Sequence, residues 1–137
     1  MSEQENTSIV HQAYANFKSG DIAALLAMLS EDVQWQLPEI EDLPFAGKRQ
    51  GPEQVGQFFA SLSELQDNLE FTPQSFTAQG DKVVAQGHYR WRVKATGREY
   101  GADWAHVFTI RDGKVVDFHE YTDSAAVVAA YQQALSA

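Results

Sequence analysis

Cysteine is absent from the 137 residues. That removes disulfides, thiolate nucleophiles and thiolate metal sites, though it fixes no compartment. Cations are scarce: 10 Lys and Arg stand against 19 Asp and Glu, a formal net charge of −9 at pH 7. Nucleic acid and anionic membranes both demand basic patches, so neither is expected as a main partner. No apolar run reaches the roughly 20 residues that a spanning helix needs. The opening Met-Ser-Glu-Gln-Glu-Asn is acidic and polar, with no apolar signal core behind it, so the expected location is cytoplasmic. Repeats, low-complexity tracts and linkers are also missing. A chain of this length suits one domain with a real core, expected to cover residues 1–137.

What is present is strongest between Asp103 and Asp123. Two β-rich runs flank Asp112-Gly113, a hairpin signal. Alternation places Trp104, His106, Phe108 and Ile110 on one face of the first strand, and Val116, Phe118, Glu120 and Thr122 on one face of the second. If both faces point the same way, Ile110 opposes Val116, Phe108 opposes Phe118 and His106 opposes Glu120. The loop then holds five residues, with room for a bulge at Gly113.

Upstream, Asn6 or Thr7 is placed to cap a helix carrying Ile9, Val10, Ala13, Tyr14 and Phe17 at helical spacing. Gly20 stops it, and Asp21 caps a second helix that ends near Ser30. Val33, Trp35 and Leu37 alternate as a short strand closed by Pro38. The irregular stretch to Gly51, rich in acids and holding an exposed-looking Phe45, reads as a lid. Gly51-Pro52-Glu53 opens a third helix with Val55, Phe58, Phe59 and Leu62 on its stripe. Strands follow at residues 69–79, where Pro73 marks an edge or bulge, then at 83–94 and 99–111. Asp123 or Ser124 caps a last helix to about Leu135. Helices segregated to one face of a curled sheet give an α+β cone with a pocket.

The chain resembles the nuclear transport factor two-like superfamily, and within it the SnoaL-like polyketide cyclase and ketosteroid-isomerase-related group. The resemblance rests on Ser19-Gly20-Asp21-Ile22, on Ser30-Glu31-Asp32-Val33, on Gly51-Pro52-Glu53, and on residues 107–116 followed by Glu120-Tyr121-Thr122-Asp123. It implies a strongly curved, mostly antiparallel sheet covered by N-terminal helices, a cystatin-like roll. It leaves activity open, because one fold hosts many functions. Ketosteroid isomerases carry a carboxylate base where this chain has Leu37. Their oxyanion tyrosine and aspartate correspond to Ala13 or Tyr14 and to His106, so steroid isomerase machinery is absent. Asp123 matches the polyketide cyclase acid/base position. The Asp-Arg-Asp set of limonene-epoxide hydrolases does not assemble, because Arg90, Arg92 and Asp103 fall on the outward parity.

Three residues are candidates for chemistry: His106, Glu120 and Asp123. A carboxylate beside an imidazole orients it and stabilises its charged form, which makes a general base; alternatively the two satisfy each other and only line a cavity. Asp123 is either an acid/base or the cap of the last helix. Candidate ligand contacts are Tyr14, Trp35, Leu37, Phe59, Tyr89, Trp91, Trp104, Phe108 and Phe118, suited to a small, partly apolar molecule. No cofactor is expected, and no metal, since no local spacing supplies a third ligand beside His106 and Glu120. Outward-facing His88, Arg90, Arg92, Ala105, Val107 and His119 form either a solvated face or, as the resemblance suggests, a homodimer interface.

Overall fold

A computed structural model describes residues 2–136 of the chain, and the side chains of residues 2–132. Its elements run α1 (Glu3–Ser19), α2 (Ile22–Leu26), β1 (Leu29–Gln36), β2 (Lys48–Gln50), α3 (Gly51–Leu65), β3 (Gln66–Gln79), β4 (Lys82–Val93), β5 (Glu99–Arg111), β6 (Lys114–Thr122) and α4 (Ser124–Ser136). The strands make one sheet in the order β2-β1-β6-β5-β4-β3, curved and unclosed. It is antiparallel except where β1 runs beside β6 in parallel. Helices α1 and α3 pack against it, and the apolar core lies between.

The β5–β6 hairpin settles the inward face. His106 opposes Glu120 and Phe108 opposes Phe118, as alternation predicts. The turn differs from expectation. Asp112 and Gly113 take φ of 52° and 77°, so two residues connect the strands, as the doubly left-handed type I′ turn requires. The spare residue moves into the ladder as a bulge between Thr109 and Ile110, and Ile110 therefore opposes Val115 instead of Val116. Both Ile110 and Val115 end up buried.

Three other expectations are corrected. Ser2 caps α1, not Asn6 or Thr7: its hydroxyl accepts from Glu5 N while the Glu5 carboxylate accepts from Ser2 N, a reciprocal capping box. Asn6 is buried instead, donating to Gly80 O. Helix α2 ends at Leu26, and Leu29 belongs to β1, where it turns inward with Val33 and Trp35. Phe45 is not exposed. It is 5% accessible and packs 6.2 Å from Tyr131, and the Arg49 guanidinium donates to the carbonyls of Pro44, Phe45 and Ala46. With β2 paired to β1 as well, residues 38–47 are tied down, and they are no free lid.

Edge strand β3 carries the Pro73 irregularity read from the sequence. Opposite it, Gly87 has a specific reason. A Cβ there would lie 2.4 Å from Thr72 O and 2.5 Å from Trp104 Cζ2. The missing side chain lets Trp104 cross the strand flat, its ring stacked 5.1 Å from Phe71 and 4.1 Å from His106. Gly87→Ala is expected to destabilise the protein by about 1–3 kcal/mol, the usual cost of overpacking. A urea midpoint equal to that of the parent protein would show that Trp104 yields freely.

Candidate functional site

Because side chains alternate along each strand, the centre of β5 and β6 sends His106, Phe108, Phe118 and Glu120 toward the helices. A cavity of about 80 Å³ lies there. His106 and Glu120 border it, as do Tyr14 from α1, Trp35 from β1, and Leu37 just beyond that strand. Phe59 from α3, Tyr89 and Trp91 from β4, and Phe108 and Phe118 complete the predicted set. Trp104 is the exception among the predicted contacts. It is buried behind His106, as a stacking support, and does not reach the cavity.

Asp123 is also apart from the cavity. It is exposed, and its carboxylate accepts from Ala126 N at 3.2 Å. Its geometry is that of a cap for α4, so its acid/base reading is withdrawn. Phe17, Phe58, Leu62 and Phe71 line the cavity but were not singled out in the sequence. Phe17, Phe58 and Leu62 lie on apolar helical stripes that look like ordinary core. The irregular β3–β4 register obscured the parity of Phe71.

Three side chains form one hydrogen-bonded series. The Tyr14 hydroxyl lies 2.8 Å from His106 Nδ1, and His106 Nε2 lies 2.9 Å from Glu120 Oε1. His106 is 5% accessible and Glu120 9%. Burial, reinforced by the charge of Glu120, pushes the Tyr14 phenol far above its ordinary value of 10.0, so Tyr14 keeps its proton and acts as a donor. With the imidazole neutral, Tyr14 donates to Nδ1 and Nε2 donates to the Glu120 carboxylate. Both nitrogens are thus occupied in the resting arrangement. His106 therefore presents no unbonded ring nitrogen to the cavity.

Burial also pushes the Tyr89 and Tyr100 phenols well up, again with Glu120 adding to it, and raises Tyr131 to about 12. Leu37 sits in the wall as an apolar side chain. Arg90, Arg92 and Asp103 are exposed on the other face of the sheet, where Arg90 pairs with Glu99 at 2.8 Å and Arg92 with Asp67 at 3.4 Å. Among the described residues, no group of three or more His, Cys, Asp or Glu is disposed to hold a metal ion.

The buried phenols lead to a pH prediction. Each binds its proton more tightly in the folded state than in the unfolded one. The stability it lends is complete below the ordinary value of 10.0 and falls as pH rises from there toward the folded value, near 12 for Tyr131 and higher for Tyr14, Tyr89 and Tyr100. Urea midpoints should therefore drop steeply above about pH 10, and Tyr89→Phe should make the drop shallower. An unchanged slope in that variant would count against a buried, protonated Tyr89.

The SnoaL-like domain family matches residues 10–118. An NTF2-like protein from Burkholderia xenovorans LB400 is 35% identical, with a TM-score of 0.85 over 95% of this chain and 98% of that one. One from Burkholderia thailandensis E264 is 28% identical, with a TM-score of 0.85 over 96% of this chain and 99% of that one. TerC, co-crystallised with polyporic acid, is 26% identical, with a TM-score of 0.82 over 93% of this chain and 98% of that one. No curated protein sequence gives a significant match.

Proposed function

The chain belongs to the SnoaL-like domain family, and from that premise we propose that it binds a small, partly apolar molecule in the cavity and moves a proton on it, as an isomerase, cyclase or hydratase does. The observation that carries this reading is the unbroken series from Tyr14 through both nitrogens of His106 to Glu120, set in an otherwise apolar wall. The co-crystallisation of TerC with polyporic acid supports small-molecule binding on this fold.

The series suits proton abstraction without a phenolate. A substrate proton passes to the Tyr14 oxygen as the Tyr14 proton moves to Nδ1 and the Nε2 proton moves to Glu120. Tyr14 is a hydroxyl before and after, the imidazole has exchanged one tautomer for the other, and the negative charge has passed from Glu120 to the substrate. Running the steps backward returns a proton to a different atom of the substrate, which is isomerisation. The strong bias against ionised Tyr14 makes the concerted route the accessible one. Positioned acid–base groups of this kind contribute ~10²–10⁴-fold.

Glu120→Gln keeps the shape and removes the final acceptor, so turnover should fall by about 10²-fold or more while ligand affinity changes little. Tyr14→Phe should act on the same step. The Tyr14→Phe/Glu120→Gln double variant should lose little beyond the worse single one, as for residues that act as a unit. An unchanged rate in Glu120→Gln with intact binding would reject the relay. One observation favours a second reading: His106 is fully satisfied by its neighbours, as a purely structural wall residue would be. Ligand binding without turnover in the parent protein would select that non-catalytic role.

We also propose a homodimer through the outward sheet face. Ala105, Val107 and His119 are only half-buried there, and Tyr121, 52% accessible, stacks 4.1 Å from His119. Light scattering at micromolar concentration is expected to give twice the 15.3 kDa chain mass, and Tyr121→Glu to lower it. A monomer mass for the parent protein would refute the dimer.

A further inference from the structure

The inner cavity, about 80 Å³, is smaller than the ~150 Å³ apolar cavity that accepts a benzene ring. A ligand of ordinary size therefore does not fit it as it stands. Beside it lies an open cleft of about 540 Å³, between the end of α1, the end of α3 and the β3–β4 edge. That volume is in the ~300–1,000 Å³ range of small-molecule sites. Phe17, Phe59, Leu62 and Trp91 line both spaces and so form the wall between them. Phe17 is the half-buried member, near the last turn of α1, with ring centroids 6.0 Å from Phe59 and 5.1 Å from Phe71.

The cleft differs from the cavity in chemistry. Its charged lining residues are Lys18, Lys94 and Asp67. Lys94 Nζ donates to Ser63 O at 2.9 Å and lies 3.8 Å from Asp67. Asp67 is itself shared with Arg92 at 3.4 Å. Lys18 is exposed, and no ion pair within 4.0 Å engages it among the described residues. The balance at this mouth is cationic, on a chain whose net charge is −9.

We infer that Phe17, with Phe59, Leu62 and Trp91, gates the cavity from the cleft, and that Lys18 and Lys94 hold the anionic end of a ligand whose apolar body passes inside. The natural ligand is then a small, apolar acid, oriented with its apolar end toward Tyr14 and Glu120. This rests on the small-molecule reading given above and adds the substrate's charge and direction. It also gives the lysines a role in attraction: on a chain of net charge −9, the mouth offers an approaching anion favourable charge.

Two fluorescent probes test it: anilinonaphthalene sulfonate and its uncharged parent, phenylnaphthylamine. At low salt the sulfonate should bind the parent protein more tightly than the neutral probe does, and added salt should narrow the difference. Lys18→Gln/Lys94→Gln should raise the sulfonate Kd roughly fivefold and leave the neutral probe within about twofold, given the usual strength of partly exposed charge pairs. Lys18→Arg/Lys94→Arg should restore sulfonate binding. Phe17→Ala should speed association of both probes. Equal effects of the glutamine pair on both probes, or none on either, would overturn the anion subsite; an unchanged association rate in Phe17→Ala would overturn the gate. If the neutral probe binds and only the lysine dependence is missing, the small-molecule reading survives. If neither probe binds, both proposals fall together.

Discussion

The register of the β5–β6 hairpin is the constraint on which the rest depends. Side chains on a strand alternate, so a slip of one residue would turn His106, Phe108 and Phe118 to the outer face and leave the cavity without its floor. The type I′ turn at Asp112-Gly113 and the bulge beside Ile110 fix that register from one end. The stack of Phe71, Trp104 and His106 fixes it from the other. Burying a carboxylate and an imidazole is costly unless each is bonded, and direct opposition across the ladder provides the bond at once. Polar chemistry in this core is therefore a consequence of strand pairing, and the helices are added over it.

The apolar surroundings then determine what the polar groups are able to do. Tyr14 sits close to five aromatic or imidazole rings, within 6.1 Å centroid to centroid. Such a place keeps a phenol protonated and strengthens its hydrogen bond to His106. Leu37 fits this picture: it lines the wall as an apolar side chain, and among the described lining residues Glu120 is the one acid.

Local sequence patterns carried much of this. The parity of Trp104, His106, Phe108, Phe118 and Glu120, the Asp21 cap, the Gly20 stop and the Pro52 helix start all depend on neighbours in the chain, and each was readable. What escaped depends on distance. Tyr14 meets His106 across 92 residues, and only packing of α1 on the sheet brings them together. Phe45 looked exposed because its cover comes from Tyr131 and from Arg49 bonding back to the loop carbonyls, contacts no local pattern announces. Trp104 had the right parity but the wrong depth, since the space it fills is left by Gly87 on the next strand. Asp123 was ambiguous by residue type, and the first turn of α4 claimed it.

Rigid and movable parts are divided along the same lines. His106 and Glu120 are held in the middle of β5 and β6, flanked by paired strands, where side chains have little room to reorient. The wall between cavity and cleft is built differently: Phe17 and Leu62 lie near the last turns of α1 and α3, Phe59 lies further back on α3, and Trp91 lies on β4 beside the edge strand. Helix ends and sheet edges open at lower free energy than paired strand centres. An opening at that seam, as proposed above, would leave the paired centres of β5 and β6 in place. The same division explains why the loop from Pro38 to Gly47 need not act as a lid: it closes the end of the cavity beside Glu120, where opening would expose the buried acid to water.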